Sequence, residues 1–459
     1  MSLISSLRQL VNCPVLAPAD EGFDASREIW NRSFDRRPAI VVRPISTSDV
    51  VSAVRFAREH QLELAVKSGG HHVAGHASTE GGLLLDMTAM QAVQIDPRAR
   101  SVKTQSGLTW AHFDQVTQAF GLASAGPLVS MTGVTGFTLG GGFGWLHRKA
   151  GLGCDNLRAA EVVTASGDVV VASEKENSDL FWGLRGSGWN FGVVTSMDFA
   201  LHPIGPMVVA GMIYFPLGEL PELAARHSQL RADFPDELTA WFFLRLAPPV
   251  PVIPKEWVGR PVAAIALCYC GEVADGLRWA AELARFGNSI VSTVAPVEYR
   301  AWQKSLDGRW GNGFHNDWRG HYLADLHPEA MGILMESVRQ LRSPWTDIKI
   351  AHMEGAVSRV AGSATAYGNR NARFALVIQA RWQDASESEA QIRWATDLRD
   401  RLAPYTTGGA YANFISADEA HRVSQAHGAE NYRRLKILKA KYDSGNLFHV
   451  NPNVTPWKT

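Results

Sequence analysis

The sequence has few cysteines and no excess of charge of either sign. Its 459 residues include four cysteines, and none of them forms a C-x-x-C pair. A metal site or a disulfide framework is therefore not expected in so large a chain. Lysine plus arginine and aspartate plus glutamate both number 45, so the formal net charge is zero. This balance argues against nucleic acid or an acidic membrane surface as the main partner.

Long apolar runs and two common nucleotide motifs are also missing. No apolar stretch reaches the roughly 20 residues of a membrane helix, and the first 16 residues lack the basic and apolar regions of a signal peptide. The sequence therefore predicts a soluble cytoplasmic protein with no membrane partner. No loop has the G-x-G-x-x-G spacing of a Rossmann site, and no G-x-x-x-x-G-K-S/T phosphate loop is present.

A motif that combines glycines and histidines follows residues 62–66. These five residues form a short apolar run, and such a run predicts a buried strand. Two glycines at a strand end let the backbone approach a ligand closely, and successive outward N–H groups can bind a pyrophosphate. Taken alone, this loop could be an ordinary turn, and its histidines could be ordinary polar loop residues. The motif is Lys67, Ser68, Gly69, Gly70, His71 and His72, with Gly75 and His76 just after.

Two more glycine-rich segments follow, at residues 133–144 and 186–192. The first has too many glycines for a regular helix to be expected, at about 1 kcal/mol each. Three such loops in the first half favour a nucleotide ligand bound by loop amides from several elements.

The pattern of predicted strands and helices changes near residues 202–206, where two prolines and a glycine mark a boundary between domains. Before it, a strand, a helix capped at Ser46 and a second strand predict a βαβ unit, and residues 160–172 predict a hairpin. After it, longer strands (208–214, 238–246, 262–270, 348–360 and 374–382) alternate with amphipathic helices. This pattern predicts an α+β domain with an antiparallel sheet covered by helices.

The motifs, taken in order, resemble the FAD-linked oxidases with a PCMH-type flavin domain, in the berberine-bridge-enzyme-like branch of the vanillyl-alcohol oxidase superfamily. The resemblance spans nearly the whole chain and is densest at its two ends. It rests on Arg43-Pro44, Lys67-Ser68-Gly69-Gly70-His71, Gly133-Val134-Thr135-Gly136, Leu139-Gly140-Gly141-Gly142, Asp179-Leu180-Phe181-Trp182, Asn190-Phe191-Gly192, Asn431-Tyr432 and Asn446-Leu447-Phe448.

The resemblance implies a two-lobed PCMH-type FAD-binding domain and a separate substrate domain. We expect a lead-in at residues 1–36, the FAD domain at 37–204 and the substrate domain at 205–409. Residues 410–459 are expected to return to the FAD domain.

The resemblance also implies bound FAD, covalently joined to His71, with His72 as the second candidate. The position of a second linking cysteine in many members is Val129 here, so one bond is expected. The expected cofactor-binding residues are Lys67, Ser68, Gly69, Gly70, His71, His72, Gly75, Gly133, Gly136, Thr138, Gly140, Gly141, Gly142, Val194, Asn451 and Asn453.

The catalytic base is less clear from the resemblance. Several members carry a base at the fourth position of Tyr-x-Asn-Tyr, which is Phe414 here and cannot serve. Tyr411 is one candidate. His352 with Glu354 is another, because residues two apart share a face of a strand, although such a pair is also common on a solvated face.

The predicted function is an FAD-dependent oxidase. It would pass a hydride from a small alcohol, sugar or amine to the flavin and then to dioxygen, giving hydrogen peroxide. The alternatives are a dehydrogenase or oxidative cyclase that uses the same flavin, and a flavin-binding protein without turnover.

Overall fold

The structure is a computed structural model that describes residues 2–458. Its strands are β1 (Val15–Leu16), β2 (Ile40–Val42), β3 (Leu64–Lys67), β4 (Leu83–Asp86), β5 (Val93–Asp96), β6 (Ser101–Gln105), β7 (Leu122–Ala123), β8 (Leu157–Val163), β9 (Val169–Ser173), β10 (Val193–Ala200), β11 (His202–Pro203), β12 (Met207–Pro216), β13 (Leu238–Leu246), β14 (Pro261–Tyr269), β15 (Val291–Ser292), β16 (Ala295–Glu298), β17 (His315–Leu323), β18 (Asp347–His352) and β19 (Phe374–Trp382). Its α-helices are α1 (Leu3–Arg8), α2 (Phe23–Arg27), α3 (Thr47–Glu59), α4 (Trp110–Thr117), α5 (Val134–Leu139), α6 (His147–Ala150), α7 (Ser178–Ser187), α8 (Leu220–Leu230), α9 (Val273–Ala284), α10 (Tyr299–Lys304), α11 (Pro328–Arg339), α12 (Ala356–Arg359), α13 (Ser388–Leu402), α14 (Val423–His427) and α15 (Ala429–Tyr442).

A four-stranded sheet in the order β1-β2-β4-β3 contains the predicted βαβ unit. Helix α3 begins after Ser46, whose side chain accepts the Asp49 N–H while the Asp49 carboxylate accepts the Ser46 N–H. Strands β2 and β3 are both parallel to β4, which lies between them. The βαβ unit is confirmed. Strand β3 ends at Lys67, and the glycine and histidine loop predicted to bind a ligand begins at the next residue.

A second, five-stranded sheet has the order β5-β6-β10-β8-β9 and is antiparallel throughout. Strands β8 and β9 form the predicted hairpin, and Gly167 at its turn has a φ of 83°, which favours glycine. The lead-in of residues 1–36, in which no pattern was found, contains α1, β1 and α2 and adds β1 to the first sheet.

The glycine-rich segment 133–144 differs from the prediction. Residues Val134–Leu139 form helix α5, although the count of glycines argued against a helix. The cost per glycine is small beside the burial of Val134 and Leu139 in the core of this part of the fold. Positive φ is confined to the residues after the helix, with 115° at Gly141 and 83° at Gly142.

The second half of the chain builds an eight-stranded antiparallel sheet, the large sheet, in the order β15-β12-β14-β13-β18-β19-β17, with β16 also paired to β12. Alternate residues of each strand point to opposite faces. One face packs against α8, α9, α11 and α13 through residues such as Phe242, Ile348 and Ile350. The other face carries Trp241, Phe243 and Ala351 and meets Phe143 and Trp145 from the first half of the chain.

Two details of this sheet differ from the sequence prediction. The strand expected over residues 348–360 ends at His352, and Gly355, with a φ of 87°, precedes the short helix α12. Strand β17, which lies at one end of the sheet order, was not predicted. The α+β fold class, with an antiparallel sheet covered by helices, is confirmed.

The C-terminal segment leaves the large sheet and packs against the first half of the chain. Ala412, Leu435, Leu438 and Val454 are buried in one core cluster with residues of α4, α5, α7 and β10. The predicted division at residues 36, 204 and 409 stays a prediction, which this packing supports. Among residues 2–458, no helix has the length and apolar character needed to cross a membrane.

Candidate active site

One large cavity lies between the first half of the chain, the large sheet and the C-terminal segment. It holds about 1580 Å³ of empty space, including its open mouth. Its walls come from the histidine loop (residues 68–76), the glycine loop (residues 133–144), the aromatic face of the large sheet, and residues near 411–414 and 450–452. A pocket at the meeting of several elements is where cofactors and substrates commonly bind.

The histidine loop and the glycine loop touch each other backbone to backbone. A Cβ added at Gly69 would lie 2.3 Å from the Gly133 nitrogen, and one added at Gly133 would lie 2.5 Å from the Gly69 nitrogen. Only glycine fits at either position. Beyond this contact, the backbone N–H groups of Gly70, His71 and His72 have no acceptor among residues 2–458. Such a run of N–H groups suits an anion.

His71 and His72 differ in how their rings are held. The His71 ring stacks on Trp30, with 5.4 Å between ring centres and 17° between planes. Neither ring nitrogen of His71 has a hydrogen-bond partner within residues 2–458. In His72, Nδ1 accepts the Ala74 N–H at 3.2 Å, and Nε2 lies 3.4 Å from the Ala412 carbonyl. Of these two histidines, His71 is therefore the one with a ring nitrogen free to react.

Burial keeps these imidazoles neutral. Burial, with a smaller effect from Arg381, lowers the pKa of His71 to about 4. Burial also lowers the pKa of His72 to about 4, although its contact with the Ala412 carbonyl opposes the shift. A neutral imidazole keeps the lone pair that a covalent bond to carbon requires.

The glycines of residues 140–142 make room for other protein groups rather than for the cavity. A Cβ at Gly140 would meet Asn413 and Trp189, one at Gly141 would meet Tyr367, and one at Gly142 would meet Phe137. The loop then places the Gly142 N–H 2.9 Å from the Tyr411 hydroxyl oxygen, to which it donates.

Tyr411 lines the cavity with its hydroxyl fixed from two sides. Besides Gly142, the Asn413 side-chain amide donates to this oxygen at 2.7 Å. Burial raises the pKa of Tyr411 well above its ordinary value, although these two donors oppose the shift. At neutral pH the hydroxyl keeps its proton, so it can donate one hydrogen bond to a ligand.

The C-terminal segment is tied to the loop at residues 189–190. The Asn451 side chain donates to the Trp189 carbonyl at 3.1 Å, and Asn190 bonds to the Pro452 carbonyl and the Val454 N–H. These bonds hold Val450, Asn451 and Pro452 against the cavity.

The predicted cofactor residues fall into two sets. Those that line the cavity are Ser68, Gly69, Gly70, His71, His72, Gly133, Gly136, Val194 and Asn451. Those outside its lining are Lys67, Gly75, Thr138, Gly140, Gly141, Gly142 and Asn453. Several of the second set support the first: Lys67 donates to the Ser26 carbonyl at 2.5 Å, and Gly75 packs closely on Phe34.

His352 and Glu354 pair as expected, with 2.7 Å between Nε2 and Oε2, but away from the cavity. His352 lies on the face of β18 that carries Ile348 and Ile350, which points to the helices. Glu354 is also paired with Arg231, 2.9 Å away. The structure therefore does not support this pair as the catalytic base, because alternation along β18 turns His352 from the site.

Several cavity residues were missed by sequence reasoning. They are Trp30 from the lead-in, and Trp241, Trp310, Trp318, Lys349 and Gln379 from the large sheet and its connections. The sequence did contain an indication for Lys349, because on the predicted strand it lies between Ile348 and Ile350 and so belongs to the opposite face. Trp30 and Trp310 had no such signal.

The residues around the cavity fit a flavin dinucleotide. The N–H groups of the histidine loop can hold its pyrophosphate. Ser106 Oγ, Trp189 Nε1 and Asn451 Oδ1 are buried polar atoms of lining residues, and none has a partner within residues 2–458. Buried polar atoms normally have a hydrogen-bond partner, which a polar cofactor can supply.

Comparisons with known proteins agree with this arrangement. Residues 38–173 match the family described as FAD binding domain, and residues 410–455 match the family described as berberine and berberine like. An FAD-linked oxidoreductase of Dictyostelium discoideum is 30% identical over 436 residues, covering 93% of this chain and 91% of that protein.

Nicotine oxidase is similar to this chain both in sequence and in structure. The (R)-6-hydroxynicotine oxidase of Paenarthrobacter nicotinovorans is 29% identical over 456 residues, covering 96% of each protein. The crystal structure of 6-hydroxy-D-nicotine oxidase from Arthrobacter nicotinovorans superimposes with a TM-score of 0.86 and 27% identity, covering 97% of this chain and 98% of that one. The chain therefore belongs to the berberine-bridge-enzyme-like family of FAD-linked oxidoreductases.

Proposed function

We propose that this FAD-linked oxidoreductase is an oxidase of a small organic molecule, an alcohol, sugar or amine, with dioxygen as electron acceptor and hydrogen peroxide as product. The observation that carries the proposal is the position of His71, in a loop that borders both the glycine loop and the aromatic face of the large sheet. The similarity to nicotine oxidase in sequence and in structure supports an oxidase over the alternatives, a dehydrogenase or an oxidative cyclase.

FAD is held, in this proposal, by the lining residues of the histidine loop and the glycine loop, together with Val194 and Asn451. His71 forms the covalent bond, because its ring is neutral and has no hydrogen-bond partner within residues 2–458. His72 is held at both nitrogens and is the weaker candidate. Val129 lines the cavity with an apolar side chain, so no thiol is available there for a second bond.

When bound, FAD would supply the hydride acceptor. The protein binds and orients the substrate and controls its proton. Tyr411 is placed to donate a hydrogen bond to the substrate atom that loses or carries this proton, because Gly142 and Asn413 already occupy the lone pairs of its oxygen. The aromatic rings of Trp30, Trp318 and Phe414 exclude water from the same space.

The test of covalent attachment is an absorbance spectrum before and after acid precipitation. We expect a yellow pellet from the wild-type protein and from His72→Ala, and a colourless pellet with flavin in the supernatant from His71→Ala. A yellow pellet from His71→Ala would assign the bond to another residue. A protein that is colourless and takes up no added FAD would overturn the whole proposal.

The test of the acceptor is dioxygen consumption after a donor has bleached the flavin anaerobically. An oxidase regains its yellow colour when air is admitted and releases hydrogen peroxide. A reduced flavin that stays bleached in air but is reoxidised by an artificial dye would make the protein a dehydrogenase.

A further inference from the structure

Asn312 and Gly313 form the one Asn-Gly step of the sequence. They lie in the turn that precedes β17, and both residues are exposed. Asn312 follows Trp310, a buried residue of the cavity wall, by two positions. An exposed Asn-Gly step therefore lies next to a fixed part of the site.

The side chain of Asn312 is not held by the protein. Within residues 2–458 its amide makes no hydrogen bond, and the Gly313 N–H has no acceptor. Gly313 has a φ of 90°, a conformation that favours glycine. The backbone nitrogen after Asn312 is therefore both unpaired and unshielded by a side chain.

An asparagine in this situation can react with the backbone that follows it. The Gly313 nitrogen attacks the side-chain carbonyl carbon of Asn312, an N–C bond forms, and the side-chain nitrogen leaves as ammonia. Water then opens the resulting succinimide ring at either of its two carbonyl carbons. One opening gives aspartate, and the other gives isoaspartate, in which the main chain runs through the former side chain. The sequence of steps consumes one water, releases one ammonia and needs no oxidant or reductant.

Two comparable residues are protected by hydrogen bonds. Asp307 also precedes a glycine, but its carboxylate accepts the Ser130 N–H at 2.8 Å and the Ser130 hydroxyl at 2.6 Å. Asn288 is an exposed asparagine before a serine, and its side-chain amide donates to Glu219 at 3.0 Å. Asn312 differs from both because its side chain is free to turn toward the next backbone nitrogen.

The turn is anchored on both sides of Asn312. On one side, the Trp310 carbonyl accepts the Trp30 indole N–H at 2.6 Å, and the Gly311 carbonyl accepts a hydrogen bond from Arg381. On the other side, the Arg381 guanidinium lies 3.9 Å from the centre of the Phe314 ring. Isoaspartate adds one carbon atom to the main chain between these anchors, about 1.5 Å of bond length. The added length acts on a segment whose first residue is part of the cavity wall.

We propose that Asn312 is a site of spontaneous covalent modification, at which the succinimide reaction forms isoaspartate and displaces the cavity wall at Trp310. The reaction goes beyond the proposed function and does not depend on it, since Asn312, Gly313 and water are sufficient. It also adds one negative charge, one residue away from the carbonyl that Arg381 binds.

The first test is mass spectrometry of the holoenzyme during storage at mildly alkaline pH. Trypsin releases Asn312 in the peptide 310–319 and the control residue Asn288 in the peptide 286–300. The reaction raises the mass of a peptide by about 1 Da, and fragment masses separate Asn312 from Asn316. We expect Asn312 to react at least about tenfold faster than Asn288, because only Asn312 has a free side chain beside an unshielded nitrogen.

The second test uses isoaspartate labelling and the visible circular dichroism of the bound flavin. A methyltransferase specific for isoaspartate should label the stored wild type and the stored Asn288→Ser control at peptide 310–319, but not stored Asn312→Ser. We expect the flavin spectrum of the wild type and of Asn288→Ser to change in step with this labelling. The spectrum of Asn312→Ser should stay constant over the same period.

Two results would overturn the inference. If Asn312 reacts no faster than Asn288, the turn is not a modification site. If isoaspartate forms at residue 312 while the flavin spectrum stays constant, the modification does not displace the cavity wall. Failure of the proposed function is seen separately, because a protein without bound flavin would still show the change in peptide mass.

Discussion

Lys439 holds the C-terminal segment to the loop at residues 189–190, and its removal should destabilise the protein strongly. Its amino group pairs with Asp443 at 2.7 Å, and both side chains are fully buried. The same group donates to the Asn190 carbonyl at 2.7 Å and to the Phe448 carbonyl at 2.8 Å. All three N–H bonds of the ammonium therefore have an acceptor.

The magnitude follows from what Lys439→Met leaves behind. The Asp443 carboxylate would remain buried without its cation, although it still accepts the N–H groups of Leu447 and Phe448. Removing one member of a buried pair costs about 3–5 kcal/mol. The matched control is Lys441→Met on the same helix, because Lys441 is 57% exposed and pairs with the partly exposed Asp179. Such a pair is worth about 0.2–1 kcal/mol.

The assay is urea unfolding of the holoenzyme, followed by tryptophan fluorescence and by the change in flavin absorbance. We expect the free energy of unfolding to fall by about 3–5 kcal/mol in Lys439→Met and by less than about 1 kcal/mol in Lys441→Met. If the two variants differ from each other by less than about 1 kcal/mol, the buried pair does not stabilise the fold as argued.

Three further changes test other parts of the site. In the same urea assay, Gly69→Ala should lower the free energy of unfolding by about 1–3 kcal/mol, because its Cβ would overlap Gly133. Its control, Gly332→Ala, lies in a helix with open space around it and should raise the free energy of unfolding by up to about 1 kcal/mol. Equal effects of the two substitutions would refute the close approach of the two loops. The Tyr411→Phe variant should still bind flavin, but a donor should bleach this flavin roughly fivefold to tenfold more slowly, which corresponds to the loss of one hydrogen bond. An unchanged rate would show that the hydroxyl does not act on the substrate. Burial alone would raise the pKa of Asp347, but the neighbouring cationic side chains lower it from 3.8 to about 2. The ionised carboxylate therefore contributes to the stability of the fold above pH 4, and this contribution is lost as the pH falls toward 2. The wild type should therefore lose about 1.8 kcal/mol more than Asp347→Asn between pH 4 and pH 2, measured by urea unfolding at each pH, and parallel losses would contradict this reasoning.

The glycine motifs indicated positions where the backbone is closely approached. At Gly69 and Gly133 the approaching group is the backbone of the other loop, which the sequence did not indicate. The same reasoning overestimated the number of glycines that face a ligand. Gly140 leaves room for Asn413 and Trp189, which are distant in sequence, so these neighbours could not be foreseen.

The substrate end of the cavity was harder to predict. On β18 the alternation of Asp347 and Lys349 with Ile348 and Ile350 separates two faces, but sequence alone cannot say which face meets the flavin domain. For this reason the sequence left open whether His352 meets the cavity, and the structure turns it toward the helices. Trp30 lies in a lead-in without periodicity, and its indole donates to the Trp310 carbonyl, 280 residues further along the chain.

The return of the C-terminal segment to the cavity has a consequence for biosynthesis. Val450, Asn451 and Pro452 close a wall whose other parts include residues 68–72 and 133–137, and they are translated after all of them. Chains generally begin to fold from the N-terminus while synthesis continues. The earlier wall can thus form on the ribosome, but the complete binding site exists only once translation has passed Pro452. We therefore expect the acquisition of flavin to be a late, post-translational step, and nascent chains halted before Val450 to leave the binding site open on one side.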